Sequence, residues 1–331
     1  MKMKKTPQRF HLHLSRVVVF LIHPSSFRLH PSYQWSQLRT LARIAALLAR
    51  CQALWLVDLG VASSARHDGP VSDNWNLVWS DEFDHEGLPD RSRWGYEEGF
   101  VRNEELQYYT RDRAENARVQ NGMLVIEARQ EKFKNARFDP QARPGNWRRS
   151  REYAEYTSAS IVTKGKASWL YGRFEIRAKL PTGRGTWPAI WTLGTNTVGW
   201  PACGEIDIME NVGFDPDMIH ANVHTKKYNH VDGTHKGSKI EIARPFADFH
   251  VYAMEWHPNR LDFYVDDRRY FIYANEGTGK DAWPFDEPQY LLLNIAIGGT
   301  WGGQRGIDDA IFPQKMLVDY VRVYQRGKEE E

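Results

Sequence analysis

The chain has 331 residues, of which 41% are hydrophobic and 26% charged, a globular composition that excludes a wholly disordered chain. Its net charge of +2 hides an asymmetry, because residues 1–65 carry nine basic residues and one acidic residue, a net charge of +8 that leaves −6 for the remainder. An acidic body argues against nucleic acid as a partner.

The first 65 residues are predicted to form a leader that is not part of the fold. Their longer apolar stretch, 45–61, is broken by Arg50 and Asp58, which argues against a membrane span. Basic residues precede this stretch and small residues follow it, as in a secretory signal, and the sequence before it suggests an over-extended start. We expect export, to the medium or the periplasm, and a single domain formed by 66–331.

Beyond the leader the sequence predicts one short strand after another. The pair Asn121-Gly122 predicts a hairpin, because both residues tolerate the positive φ of a two-residue turn. Apolar and polar residues alternate over 173–180 and 261–266, and apolar residues recur over 291–297. No long segment has helical periodicity. Short strands separated by Gly, Pro and Asp turns predict an all-β fold, an antiparallel sandwich or jelly roll.

One strand-like segment, GEIDIMEN, contains three carboxylates. In a regular strand Glu205 and Asp207 share a face and Glu210 points to the other. A bulge at Ile208-Met209 would return Glu210 to the first face. The alternatives are a solvated acidic strand and one acidic cluster, and the flanking aromatic residues favour the cluster. Clustered carboxylates repel, so that one stays ionised while another keeps its proton, as a glycosidase requires.

These residues resemble the catalytic motif of glycoside hydrolase family sixteen, most closely its bacterial laminarinases, which are endo-β-1,3-glucanases. The resemblance covers about residues 75–325. It rests on GEIDIMENVG, WPAIWTLG and DYVRVYQ, with WNLVWSDEFD, RNEELQYYT, ENARVQNGMLVIEAR and YTSASIVTKGKASWLYGRFEIRAKLP. It implies a β-jelly-roll sandwich of two antiparallel sheets whose concave face is an open cleft for a polysaccharide. A monomer that binds β-1,3-glucan is the expectation.

The resemblance also implies catalytic roles. Glu205 matches the nucleophile that forms a glycosyl-enzyme intermediate, and Glu210 matches the general acid/base. Asp207, between them, would hold and tune Glu205. The implied reaction is a retaining double displacement with the two glutamate carboxyls about 5–5.5 Å apart, and no cofactor takes part in it. With its extra residue Met209, the motif resembles that of laminarinases and some algal galactanases of the family. The extra residue argues against membership of the lichenase and xyloglucan transferase subclasses, whose motif is one residue shorter.

Substrate-binding residues are predicted from the same resemblance. Trp187 and Trp191 would stack on sugar rings, with core packing as the alternative. Asn103 would bind a hydroxyl at the glycone end, or occupy a turn. His224 would contact the leaving-group sugar near Glu210, or be structural. Trp301 is predicted to lie in a glycine-rich loop, GGTWGG, and to contact the ligand, because aromatic residues in loops are poor core candidates.

A structural Ca²⁺ on the convex side is also implied by the resemblance. Asp319 and main-chain carbonyls near Glu82 and Gly122 would bind it, since Ca²⁺ prefers oxygen ligands. A surface-facing acid is the alternative for Asp319. No zinc site is predicted at His220 and His230, because no Cys or carboxylate accompanies them at ligand spacing.

The predicted function is therefore a secreted endo-β-1,3-glucanase. Two alternatives stay open: the same mechanism on mixed-linkage glucan, agarose or carrageenan, and a non-catalytic β-glucan-binding protein on the same fold. The intact set Glu205, Asp207 and Glu210 argues against the binding protein. WPAIWTLG and NEELQYYT favour glucan over galactan as the substrate.

Overall fold

A computed structural model describes residues 75–143 and 145–327, and within them nearly all regular structure is strand, as predicted. The leader predicted at 1–65 lies outside these residues. The strands, in chain order, are β1 (Trp75–Asp81), β2 (Gly95–Tyr96), β3 (Gln107–Tyr109), β4 (Ala117–Gln120), β5 (Met123–Lys134), β6 (Tyr153–Ser158), β7 (Ser160–Val162), β8 (Gly172–Lys179), β9 (Thr186–Gly194), β10 (Glu205–Val212), β11 (Asp215–His224), β12 (Lys236–Glu241), β13 (His250–His257), β14 (Arg260–Val265), β15 (Arg268–Ala274), β16 (Gln289–Ile297) and β17 (Gln314–Arg326). The helical elements are α1 (Trp147–Ser150), α2 (Gly299–Gly302) and a 3₁₀ turn (Asp309–Ile311).

These strands form two sheets. A ten-stranded sheet has the order β15-β14-β13-β8-β17-β5-β6-β3, with β1 paired to β17 and β4 to β5. A seven-stranded sheet has the order β12-β11-β10-β9-β16-β7-β2. Neighbouring strands are antiparallel except β3 and β6, which are parallel. The fold is the jelly-roll sandwich of two antiparallel-rich sheets that the sequence predicted.

The core lies between the two sheets and follows from the alternation seen in the sequence. On β8, Phe174 and Ile176 are fully buried and belong to one apolar cluster with Ile206 of β10 and Phe263 of β14. Side chains of alternate residues in a strand point to the same face, so each strand contributes every second residue to this core. Fully burying one such side chain stabilises the fold by about 1.5–3 kcal/mol.

The predicted hairpin at Asn121-Gly122 is present between β4 and β5. Gln120 pairs with Met123 across the turn, and the two turn residues have φ of 55° and 72°. Positive φ at both central positions is the requirement of a type I′ turn, which Asn and Gly meet at the least steric cost. Among the described residues, no helix is both long and apolar enough to cross a bilayer.

The face of the seven-stranded sheet that points away from the core carries the functional cleft. Strands β9, β11 and β16 present alternate side chains, and β10 presents Glu205, Asp207 and Glu210, to a cavity of ≈ 860 Å³. On β9 these are the odd-numbered residues 187–193, whereas Ile190 between them lies in the core. The cleft is therefore built on strands, whose packed core holds the side chains of its floor in place.

Candidate active site

The acidic strand β10 contains the predicted bulge. Asp207 pairs with Trp191 of β9, and the next pair joins Met209 to Ile190, so that Ile208 is an extra residue. The register with β11 also shifts between Asp207 and position 210. Ile208 and Met209 are both fully buried in the core. The three carboxylates of the strand consequently line the same cleft, which is the single acidic cluster predicted from GEIDIMEN.

Glu210 is held by two side-chain donors. The Nε1 of Trp187 donates a hydrogen bond to Oε1 at 3.0 Å, and Nδ2 of Asn222 donates to Oε2 at 2.7 Å. Burial raises the pKa of Glu210, although His224 and these two donors oppose the shift. A carboxyl group with a raised pKa keeps its proton closer to neutral pH, as a general acid must.

Glu205 and Asp207 share a histidine on the neighbouring strand. His224 is opposite Glu205 in the β10–β11 ladder, and its Nε2 is 3.6 Å from Oε1 of Glu205 and 3.3 Å from Oδ2 of Asp207. The sequence predicted that His224 contacts the leaving-group sugar near Glu210, and this role stays a prediction. The strand register places the ring next to Glu205 and Asp207, because positions 205 and 224 face each other.

The carboxyl groups of β10 raise one another's pKa. Burial and then the charge of Asp207 raise the pKa of Glu205 to about 8, although His224 opposes this shift. Burial and the charge of Glu210 raise the pKa of Asp207 well above its ordinary value. Two buried carboxylates and the partly buried Glu205, with one nearby imidazole, are short of positive charge, so the cluster retains protons near neutral pH.

The two predicted tryptophans of β9 both line the cleft. Trp187 is half-buried and bonds Glu210 through its indole N–H. Trp191 is only 5% exposed, and its Nε1 donates to Oδ1 of Asn294 at 2.8 Å. The guanidinium of Arg102 lies 4.7 Å from its ring centroid. Trp187 thus presents more of its ring to a ligand than Trp191, whose role is divided between the cleft floor and packing.

Trp301 and Asn103 also line the cleft. Trp301 is on the one-turn helix α2 and not in a loop, and its ring makes edge-to-face contacts with Trp187 at 5.4 Å and His220 at 5.0 Å. Asn103 has φ of 54°, and its Nδ2 donates to Oε1 of Glu105 at 3.4 Å. Asn103 therefore occupies a turn at the edge of the cleft, and its binding of a sugar hydroxyl stays a prediction.

Several cleft residues were missed by sequence reasoning. They are Arg102, Trp200, His220, Asn222, His230 and His235. Two of them had a usable signal, because His220 and Asn222 precede His224 at spacings of two and therefore share its face of β11. The others come from loops, whose approach to the cleft no local pattern encodes.

The residues predicted to hold Ca²⁺ lie on the ten-stranded sheet and at its margin. Asp319 is on β17, where its Oδ2 accepts a hydrogen bond from Nη1 of Arg177 at 2.7 Å. The carboxylate of Glu82 pairs with Arg322 at 2.9 Å. Gly122 is in the β4–β5 turn. The side chain of Glu82 is thus in an ion pair, which leaves its main-chain carbonyl as the predicted ligand.

A jelly-roll sandwich with clustered carboxylates at the floor of a tryptophan-lined cleft is the arrangement of a glycoside hydrolase. Residues 105–322 match the family described as Glycosyl hydrolases family 16. The chain belongs to this family.

Named relatives agree with this membership. The chain is 49% identical over 296 residues to a β-glucanase of Rhodothermus marinus, an alignment that covers 86% of this chain and 97% of the relative. The chain also resembles the X-ray structure of the laminarinase from Rhodothermus marinus, with 51% sequence identity and a TM-score of 0.69. This match covers 77% of the present chain and 98% of the laminarinase chain. The structure of SCLam, a non-specific endo-β-1,3(4)-glucanase, matches with 47% sequence identity and a TM-score of 0.70. This match covers 78% of the present chain and 94% of the SCLam chain.

The raised pKa of Glu205 predicts a stability cost at high pH. Between about pH 4.5 and about 8 the folded protein binds a proton at Glu205 that the unfolded chain releases, so the free energy of unfolding falls as pH rises. Glu205→Gln removes this cost. In thermal melts we expect the variant to match the parent near pH 4.5 and to melt at least about 2 °C higher at pH 8.

Glu255→Gln is the matched control of opposite sign. His257 and Arg173 lower the pKa of Glu255 to about 2, so its charge stabilises the fold above about pH 4.5, and this stability is lost as pH falls through about 2. This variant should melt below the parent at pH 8. If Glu205→Gln instead melts below the parent at pH 8, the ionised carboxyl group of Glu205 does not destabilise the fold, and its pKa is not raised.

Proposed function

We propose that the protein is an endo-β-1,3-glucanase of the laminarinase type that cleaves β-glucan by a retaining double displacement. Glu205 is the nucleophile, Glu210 the general acid/base, and Asp207 tunes their charges. The observation that carries this proposal is the bulge in β10, which gives the three carboxylates one cleft. The glucanase and laminarinase names of the relatives support the substrate class.

In the first step a carboxylate oxygen of Glu205 attacks the anomeric carbon while Glu210 protonates the departing glycosidic oxygen. The bond between the anomeric carbon and that oxygen breaks, and a glycosyl ester of Glu205 forms. Trp187 and Asn222 hold the two oxygens of Glu210 during this transfer. In the second step the ionised Glu210 takes a proton from water, which attacks the anomeric carbon and releases Glu205.

Proton sharing reconciles the high pKa of Glu205 with its role. The shift to about 8 includes the repulsion of a charged Asp207. The pKa of Asp207 is itself raised well above its ordinary value by burial and by Glu210, and when Asp207 holds a proton this repulsion is absent. In the form of the cluster that reacts, Asp207 and Glu210 hold protons and Glu205 is ionised. Asp207 thereby supplies the separation of charge states that the reaction needs.

The cleft residues fit a chain of pyranose rings. Trp187 bonds Glu210 and packs against Trp301, and Trp191 lines the floor opposite Asp207 in the β9–β10 ladder. Aromatic side chains offer a flat apolar surface on which the apolar face of a sugar ring can stack. Asn103 and His224 add polar groups for hydroxyls. We assign these five residues to substrate binding.

The experiment that tests this function is reducing-sugar release from laminarin, beside barley mixed-linkage glucan, agarose and carrageenan. We expect hydrolysis of laminarin and its loss in Glu205→Gln. Activity on mixed-linkage glucan is the second candidate, because a 47% identical structure is described as a non-specific endo-β-1,3(4)-glucanase. Activity on a galactan alone would overturn the substrate but keep the mechanism. Binding without hydrolysis of any glycan would favour a glucan-binding protein.

Three further points belong to the proposal. We propose that residues 1–65 direct export and that 66–331 act as one catalytic domain. Export suits an enzyme whose polymeric substrate cannot enter a cell. We also propose that the enzyme is monomeric, the usual state of an exported hydrolase with an open cleft.

A structural Ca²⁺ bound by Asp319 and the carbonyls of Glu82 and Gly122 is also proposed. The sheet register supports it, because Asp81 pairs with Val321 and Leu124 pairs with Val318, so both loops approach β17 beside Asp319. Oδ2 of Asp319 is bonded to an arginine, which leaves Oδ1 as the donor. Such oxygen donors suit Ca²⁺.

The calcium proposal predicts that millimolar Ca²⁺ raises the melting temperature, whereas Mg²⁺ does not. Saturation at 100 times Kd corresponds to about 2.7 kcal/mol of unfolding free energy. Asp319→Asn should abolish the response and leave the specific activity at low temperature unchanged. A melting temperature indifferent to Ca²⁺, or a response that survives in Asp319→Asn, would contradict the proposal.

A further inference from the structure

We propose that the cleft also binds a zinc-class transition metal ion through Glu205, Asp207 and His224, and that the bound ion blocks glucan hydrolysis by holding the nucleophile. The binding itself follows from the geometry and charge of the three side chains. Only the inhibition rests on the proposed function.

The three donors have the spacing of a zinc site. Nε2 of His224 is 3.6 Å from Oε1 of Glu205 and 3.3 Å from Oδ2 of Asp207, and one ligand atom from each residue lies within 4.8 Å of the others. Two ligand atoms bound to a tetrahedral zinc at about 2.0–2.1 Å lie about 3.4 Å apart. Each of the three residues also lines the cleft, so a fourth position is accessible to water.

The cluster lacks the positive charge that such an ion would supply. Asp207 is 3% exposed, and its Oδ2 has no hydrogen-bond donor among the described residues. Arg102, which also lines the cleft, is committed to an ion pair with Glu97. A buried carboxylate oxygen without a donor costs free energy, and a divalent cation bound to it would remove that cost.

The chain contains a second group with the same donors and the opposite charge balance. On the outer face of the ten-stranded sheet, Nε2 of His257 is 3.5 Å from Glu255 and 3.6 Å from Asp262. There, however, Arg173 bonds Glu255 and Arg260 bonds Asp262, each at 2.7 Å. Among the described residues, these are the two groups in which at least three His, Cys, Asp or Glu side chains bring ligand atoms within 4.8 Å of one another. We expect the cleft group to bind the metal and the outer group, already neutralised, not to bind it.

The donor set selects the metal. One imidazole nitrogen and two carboxylate oxygens suit Zn²⁺ and Cu²⁺. Ca²⁺ takes six to eight oxygens and Mg²⁺ prefers an octahedron of oxygens, so neither matches three donors of which one is nitrogen. Zn²⁺ is the probe of choice because it has no redox chemistry.

The binding test is calorimetric titration of ZnCl₂ into the full chain at pH 7 in a buffer that does not bind zinc. We expect a binding event that is unchanged in His257→Gln and weakened at least tenfold in His224→Gln. Asp207→Asn, which keeps the shape of the side chain, is the second variant should His224→Gln fail to fold. Zinc binding that is lost in His257→Gln, or that survives in both cleft variants, would overturn the proposal.

The inhibition test uses laminarin hydrolysis with Ca²⁺ present throughout. We expect Zn²⁺ to raise the KM without changing kcat and Mg²⁺ at the same concentration to have no effect. Inhibition should persist in His257→Gln, whose activity without zinc should equal that of the parent. Unimpaired hydrolysis with zinc bound at His224 would overturn the inhibition. A chain that hydrolyses no glycan would refute the proposed function, while calorimetry would still decide whether the metal binds.

Discussion

Glu205→Gln is expected to lower laminarin hydrolysis by a factor on the order of 10⁴–10⁶, the size of loss seen when a catalytic nucleophile is removed. Gln has the shape of Glu but cannot form the glycosyl ester, so the first step has no nucleophile. The surrounding core residues Ile206 and Ile208 are untouched. The measurement is kcat/KM on laminarin, with circular dichroism to verify the fold.

Two controls make this result specific. Glu255→Gln changes a carboxylate on the outer face of the other sheet, and its activity should equal that of the parent. Glu205→Ala should regain activity with added azide, which enters the vacated space and attacks the anomeric carbon directly, giving an α-glycosyl azide. A Glu205→Gln variant with more than a few per cent of the parental rate would remove Glu205 from the role of nucleophile.

Glu210→Gln should give the second large loss, about 10²–10⁴-fold on laminarin, as expected when a general acid is removed. Its signature is dependence on the leaving group. In an aryl β-glycoside with an acidic phenol, the phenolate leaves without being protonated. The first step on that substrate should therefore be nearly unimpaired. The second step then lacks its base, and the glycosyl-enzyme should accumulate. Mass spectrometry of the variant would detect the added sugar on Glu205.

Azide again separates the two roles. With Glu210→Ala, azide should attack the accumulated intermediate and yield a β-glycosyl azide, opposite in configuration to the product of Glu205→Ala. Equal losses on laminarin and on the aryl glycoside would contradict the assignment of Glu210, because a general acid matters most for the poor leaving group.

The bulge in β10 could be predicted because it depends on one local rule. Side chains alternate along a strand, so the two-then-three spacing of Glu205, Asp207 and Glu210 admits one face only with an extra residue. The same rule brought Trp187 and Trp191 together, four residues apart on β9. Where function depends on spacing within one strand, the sequence was sufficient.

Contacts between strands were not predictable in this way. His224 lies beside Glu205 and Asn222 reaches Glu210 because of the register between β10 and β11, which the bulge itself shifts. No spacing in the sequence encodes that register. The same limit applies to the metal ligands. The sequence predicted no zinc site at His220 and His230 because only residues close to them in the chain were considered. The zinc ligands proposed above come from two paired strands, β10 and β11.

The central claim is that Glu205 and Glu210 face one sugar residue as a retaining pair. ¹H NMR of a laminari-oligosaccharide digest, followed from the first seconds, tests it directly through the configuration of the newly formed reducing end. The account predicts that the β-anomer appears first and that the α-anomer grows later by mutarotation. An α-anomer that appears first would mean inversion by a single displacement and would contradict the account.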